Sequence, residues 1–262
     1  MGTHALSPVA CAAAADTVTA GPVGIVTALA SEARALTSRN LRVRSALPLG
    51  ADGVMWLSGM GQEAAREGAL ALVEAGATAL VSFGVAGGLA PGLRSGTLFC
   101  PSCVLDERSH DYQPDAIWRA ALMQRIEKAG HPLVSQGSLL SLPTPLISVA
   151  DKAAMRERHQ SLAVDMESAA IAAVASEHHL PFLALRAIVD ERDDPLPIEL
   201  QRYVDAWGRP RVSSLAVALL RHPQWLAVLP GLAMRMNKAT RALRDAAKAA
   251  GSAWGRETSQ PC

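Results

Sequence analysis

The chain has 262 residues, 50% of them apolar and 4% aromatic, which is enough for one large domain with a real core. Its 25 Lys and Arg against 24 Asp and Glu leave a net charge of +1, which excludes a chain-wide electrostatic grip on nucleic acid. Four cysteines exclude a disulfide scaffold, and no apolar run reaches the roughly 20 residues of a membrane-spanning helix.

Residues 1–20 are Ala-rich, without the basic start and continuous Leu/Val segment of a secretory signal. They read as a disordered extension, and the cytoplasm is the expected compartment. Residues 22–29 (PVGIVTAL) form a short β-branched run that reads as a buried strand. A helix is expected next, with Ser31 as its N-cap and Glu32 in its first turn. Residues 54–57 give a second strand, ending in Ser58-Gly59-Met60-Gly61. The helix after it shows 3–4 spacing from Ala64 to Ala75 and a stop at Gly76.

Residues 79–83 form the next strand, which runs into Gly84-Val85-Ala86-Gly87-Gly88-Leu89. Residues 97–105 are expected as one strand. They contain Cys100-Pro-Ser-Cys103, a single CxxC with no second ligand pair, so no zinc site is expected and the motif reads as a turn. Residues 114–129 read as helix, 138–148 as a loop held by Pro143 and Pro145, 162–165 as a short strand and 168–178 as helix. Residues 181–189 (PFLALRAIV) make a further apolar strand, stopping at Asp190. The acidic, Pro-rich residues 190–199 read as a loop. This alternation, with several strands apolar on both faces, predicts an α/β sheet covered by helices on both sides, with no linker that splits it.

In such sheets ligands bind beyond the carboxyl ends of the strands. Five unusual features fall there: Glu32, the two glycine clusters, Asp165-Met166-Glu167 and Asp190. A glycine-rich turn is commonly only a turn, and an acid after a strand is often a helix cap; the coincidence of five is what points to a site. Neither cluster fits GxGxxG, and no P-loop or GxSxG elbow occurs. Carboxylates without metal-ligand histidines suit a sugar substrate: one to accept from ribose hydroxyls, one to activate water, one to protonate a leaving group.

These blocks, in order, resemble the nucleoside phosphorylase/nucleosidase superfamily, in particular the methylthioadenosine/S-adenosylhomocysteine nucleosidases. They are Gly24-Ile25-Val26 with Glu32, Ser58-Gly59-Met60-Gly61, Gly84 to Leu89, Val164 to Ala170, and Arg186 to Asp190. The resemblance covers about residues 22–195. It implies a single-domain three-layer α/β/α sandwich with a mixed central sheet over residues 21–208, no cofactor, and a homodimer. It assigns Glu32 to the attacking water and Glu167 to the ribose 2′- and 3′-hydroxyls. Met166 and Met60 would line the sugar, and Asp190 would protonate adenine N7, with Asp193 and Asp194 near it. Val85, Ala86 and Gly87 would lie beside the base. Val85 stands where the nucleosidases carry a hydroxyl residue. Residues 142–147 lack the family's aromatic, so Pro145 and Leu146 are expected against the base.

The resemblance implies an enzyme that cleaves the N-glycosidic bond of an adenine nucleoside. Water or phosphate would be the nucleophile, with Arg34 and Arg94 the available phosphate partners. A non-catalytic nucleoside-binding protein is the alternative from another class, and it predicts lost carboxylates, yet all three are present.

Residues 209–262 hold nine Lys and Arg against two acids, leaving the rest of the chain at −6. Residues 219–233 resemble the hopanoid-associated phosphorylases, which implies adenosylhopane as the substrate; the general nucleosidase or a purine nucleoside phosphorylase remains the alternative. Helices are expected over 212–221, 224–229 and 232–250. In the last, Arg235, Lys238, Arg241, Arg244 and Lys248 form a basic stripe suited to an anionic membrane surface, with Trp225 and Trp254 placed for a lipid interface. The plainer expectation is a helix packed on the sheet with a solvated basic face.

Overall fold

The structure, a computed structural model, describes residues 21–194, 203–209, 211, 222 and 225–256. In chain order it runs β1 (Val23–Thr27), α1 (Ala30–Leu36), β2 (Ala46–Pro48), β3 (Gly53–Leu57), α2 (Gln62–Glu74), β4 (Ala79–Gly88), β5 (Leu98–Phe99), β6 (Cys103–Leu105) and β7 (Asp111–Tyr112). It continues with α3 (Ala116–Lys128), β8 (Leu133–Val134), β9 (Ser138–Ser141), α4 (Val149–His159), β10 (Ala163–Asp165), α5 (Ser168–Glu177), β11 (Phe182–Asp190) and α6 (Trp225–Ala250).

Strand geometry sends successive side chains to opposite faces, and β4 and β11 use both. Leu80, Ala184 and Ile188 join a core with Leu72 of α2 and Ile171 and Val174 of α5. Val81, Phe83, Leu183 and Leu185 join a second core with Trp118 and Leu122 of α3 and Leu243 and Ala246 of α6. The result is the expected three-layer α/β/α sandwich: α2 and α5 on one face, α1, α3 and α6 on the other.

The strands form one mixed sheet. β3, β1, β4 and β11 are parallel neighbours, whereas β10 runs antiparallel to β4, β5 to β11, β2 to β3 and β7 to β6. β4 changes partners along one edge. It pairs with β1 as far as Val26↔Ser82, and with β10 from Val164↔Gly87 onward. Between these two ladders the chains diverge, and a crevice opens at the carboxyl end of β1.

Several expectations need correction. The helix after β1 is not capped by Ser31: Leu29 holds the N-cap position, and Glu32 accepts its N–H instead. Residues 97–105 are two strands, because the chain changes neighbours at Pro101: β5 pairs with β11 and β8, β6 with β9 and β7. The first residues of the expected 138–148 loop are β9, ordered by pairing with both β6 and β10. The glycine cluster after residue 83 is not a turn but the second half of β4. Residues 225–250 form one helix that runs through Pro230. Proline costs an interior turn about 3 kcal/mol, and the helix is held instead by Ala239, Leu243, Ala246 and Ala250 packed on the sheet.

Trp254 is not placed for a lipid interface. It is 4% exposed, its ring meets Phe83 edge-on at 5.3 Å, and its carbonyl accepts from Trp118 Nε1 at 2.6 Å. The extension 1–20, the expected helix 212–221 and the Trp225 side chain lie outside the described residues. Removing a ring buried in this way leaves a cavity, so Trp254→Ala is expected to cost about 3–5 kcal/mol. Urea denaturation should show it as a lower midpoint with unchanged slope. A loss below about 1 kcal/mol would place this turn outside the core.

Candidate active site

The crevice beside β4 encloses a cavity of about 230 Å³. All ten residues singled out from the sequence line it. Glu32 comes from α1, Met60 from the turn after β3, Val85, Ala86 and Gly87 from β4, Pro145 and Leu146 from the segment before α4, Met166 and Glu167 from the end of β10, and Asp190 from the end of β11.

Glu32 is held by backbone donors. Its Oε2 accepts from the N–H groups of Ala28 and Leu29, both at 2.9 Å, and its Oε1 from Val85 N–H at 2.8 Å. The first free N–H of α1, at Ala30, donates to Trp207 O at 2.9 Å, so residues 203–209 brace this helix start. Burial lifts the Glu32 carboxyl above its ordinary range, opposed by the charge of Arg186 and the three N–H donors. A carboxylate biased toward accepting a proton suits a base.

Arg186 is a buried charged residue beside the site to which the sequence assigned no role. It sits opposite Gly84 in the β11–β4 register, fully inside. Its Nη2 lies 2.5 Å from Asp165 Oδ2 and donates to Ser82 Oγ at 2.5 Å and Ser168 Oγ at 2.8 Å. A Cβ on Gly84 would stand 2.4 Å from both Arg186 Nη1 and Glu32 Oε1, so glycine is the residue that lets cation and carboxylate close on the strand.

Glu167 ends the turn into α5. Its Oε1 accepts from Gly61 N–H at 2.8 Å, and Gly61 has φ +99°, a conformation that favours glycine. Burial, then the charge of Asp165, pushes the Glu167 carboxyl up to about 7; Arg186 and the Gly61 N–H pull the other way.

Asp190 sits at a register shift in β11 that lets it pair with Gly87. A Cβ on Gly87 would come within 3.2 Å of its carboxylate. The buried Lys152 Nζ of α4 donates to Asp190 Oδ2 and also to Glu191 O at 2.9 Å and Asp194 O at 3.0 Å. Burial holds the Asp190 carboxyl above its usual range and Asp194 adds to this, while the Lys152 ammonium and Arg235 oppose it. Asp193 points to solvent, near Arg192.

The remaining surface is largely apolar: Leu29, Met60, Val85, Leu146, Val164, Met166 and Val189. Arg34 and Arg94 do not reach the cavity. Arg34 donates to Ser38 O and Arg39 O, and Arg94 pairs with Glu191 at 2.7 Å. Cys100 is buried and Cys103 donates to Asp111 Oδ1 at 2.8 Å, with thiols pushed up to about 11 and about 12; neither is primed to react. Among the described residues no group of three His, Cys, Asp or Glu is arranged to hold a metal ion.

Comparison with known proteins places this geometry. Residues 23–221 match the Phosphorylase superfamily model. A 5′-methylthioadenosine/S-adenosylhomocysteine nucleosidase from Shewanella frigidimarina is 25% identical over 193 residues, 66% of this chain and 82% of that protein. The same enzyme from Neisseria meningitidis, solved with methylthio-immucillin-A, superposes with a TM-score of 0.66 at 20% identity, covering 88% of this chain and 99% of that one. Futalosine hydrolase of Helicobacter pylori gives 0.63 at 16% identity, covering 87% and 98%. These structures share the fold, and the model match over three-quarters of the sequence shows that the chain belongs to the phosphorylase superfamily.

Proposed function

We propose that the chain cleaves the N-glycosidic bond of an adenine nucleoside and that water is the nucleophile. The observation that carries this is the distribution of charge in the cavity. Glu32, Glu167 and Asp190 share it, and Lys152, the one cationic lining residue among the described residues, has its three protons committed to Asp190 and two carbonyls. Among the described residues a phosphate dianion would meet carboxylates with no uncommitted cation to hold it, whereas a water needs only an acceptor. Oε1 of Glu32 has one lone pair left after Val85 N–H, and it is the acceptor for that water.

The chemistry follows from the positions. Glu167 accepts from the ribose 2′- and 3′-hydroxyls and fixes the sugar over Met166. As the C1′–N9 bond breaks, its electron pair passes to the purine, and Asp190 delivers a proton to N7 so that adenine departs neutral. Water adds to C1′ and gives its proton to Glu32. Positive charge growing on the ribose meets the carboxylates of Glu32 and Glu167. Val85 stands where the nucleosidases carry a hydroxyl residue and gives its backbone N–H to Glu32, and Pro145 with Leu146 offers apolar contact to the base in place of a ring. The relatives that match the chain support this reading, being 5′-methylthioadenosine/S-adenosylhomocysteine nucleosidases by name.

A finer reading concerns the 5′-substituent. The resemblance of residues 219–233 to hopanoid-associated phosphorylases favours adenosylhopane, a substrate with a lipid tail. On α6 the exposed Lys238, Arg241, Arg244 and Lys248, beside the exposed Val228 and Met234, favour a surface that rests on anionic lipid. No helix among the described residues is long and apolar enough to cross a membrane. Each basic residue near such a surface contributes about 1 kcal/mol.

For the chemical step, Asp190→Asn is expected to lower adenine release by roughly 10²-fold or more with the fold intact. Glu32→Gln should keep nucleoside affinity and stop hydrolysis. Wild-type turnover in either variant would remove that residue from its role. For the surface, co-sedimentation should occur with anionic vesicles and fade with salt, and be absent with neutral ones. Failure to bind either at any salt concentration would leave α6 as packing alone.

A further inference from the structure

Asp190 poses a problem for any reading in which it protonates the base. A carboxyl in contact with an ammonium is drawn toward its ionised form against the burial that lifts it, and an ionised carboxylate has no proton to give. The surroundings of Lys152 resolve it. The amine is fully buried on α4, and its three N–H groups are all accounted for: one to Asp190 Oδ2, one to Glu191 O at 2.9 Å, one to Asp194 O at 3.0 Å. If the first of these protons moves to Asp190, the neutral amine keeps two N–H groups for the two carbonyls, and its lone pair accepts from the new carboxyl O–H. No hydrogen bond is lost in either state.

We propose that Lys152 is a positioning residue that stores the proton Asp190 delivers, so that the acid of this site is the Lys152–Asp190 pair. This rests on the assignment of Asp190 to the leaving base. Ammonium with carboxylate, and amine with carboxyl, are one protonation level of the pair, and either form carries a single proton toward the cavity. As C1′–N9 breaks, N7 takes a proton from Asp190 while Asp190 takes one from Lys152. The pair is left as amine and carboxylate. It regains a proton from water once adenine leaves the cavity. In the resting enzyme, losing that proton to solvent would leave an unbalanced carboxylate in a buried site.

The charged groups around the pair are otherwise matched. Asp194 is held by Arg235 of α6 at 3.3 Å, and Glu191 by Arg94 at 2.7 Å. Across the cavity Asp165 is paired with Arg186, near Glu167 and Glu32. Burial, the leading influence on Asp190, favours the uncharged form of the pair and eases the transfer. Lys152 also ties the chain after β11 to α4 through Glu191 O and Asp194 O, which fixes the direction of the carboxyl.

The test is the pH profile of kcat/KM for adenine release from 5′-methylthioadenosine, measured on wild type, Lys152→Met, Lys152→Arg and Asp190→Asn. Lys152→Met leaves a lone buried carboxyl that must carry its own proton, so its alkaline limb should fall at least about one pH unit below that of wild type. Lys152→Arg keeps the charge but gives up no proton, and its limb should lie lower still. Both should be at least about 10²-fold slow on the alkaline side and recover toward acid, with KM little changed. Variants that are slow at every pH with the wild-type limb would show a merely structural lysine and overturn the proposal. So would a Lys152→Arg enzyme of wild-type rate, and that variant decides the matter even where the methionine does not fold. Wild-type activity in Asp190→Asn would instead overturn the role of Asp190 itself.

Discussion

The guanidinium of Arg186 lies on a strand face that is otherwise apolar, and its charge bears on three carboxylates. Asp165 pairs with it directly, and Glu32 and Glu167 both feel its charge. Removing a charged group from water costs several kcal/mol unless a partner and hydrogen bonds replace the solvent. Here Ser82 and Ser168 accept from the guanidinium Nη2 while its buried Nε is left without a hydrogen-bond partner among the described residues, backbone N–H groups complete Glu32, and Gly61 N–H serves Glu167. One cation for three acids is an incomplete balance. Burial therefore lifts Glu32 above the ordinary carboxylate range and pushes Glu167 up to about 7.

That arrangement depends on β4 changing neighbours. If β1 and β10 continued along the same edge, backbone would fill the space where the cavity lies. Because β1 ends its ladder at Ser82 and β10 begins at Gly87, the start of α1 and the turn into α5 can both approach the intervening residues. Gly84 and Gly87 then decide how near the acids come, one admitting Glu32 and Arg186, the other Asp190.

Much of this was legible in the sequence, for physical reasons that differ by residue. The apolar runs of β1, β4 and β11 are buried on both faces and announce themselves by composition. Acids just beyond such runs are conspicuous, and Glu32, Glu167 and Asp190 do meet in one cavity. Lys152 escaped notice because α4 is largely polar, with Lys152 its one buried residue, so no apolar stripe marks the helix. Arg186 was visible but stands inside an apolar strand, and nothing local distinguishes a structural from a functional arginine there. Trp254 illustrates the opposite error: an aromatic in a basic tail suggests an interface, but only tertiary packing reveals that it closes on Phe83. The expected break at Pro230 failed because an inner face of small residues and leucine stabilises the helix beyond local propensity.

We propose that a carboxylate-lined cavity with no uncommitted cation among the described residues uses water, not phosphate, to break the bond to adenine. The most direct test is to run the reaction in heavy-oxygen water, with and without phosphate, and weigh the sugar product by mass spectrometry. Hydrolysis gives the unphosphorylated, 5-substituted ribose carrying one heavy oxygen at C1′, formed at the same rate whether phosphate is present or absent. A sugar 1-phosphate, or adenine release that requires phosphate, would contradict it.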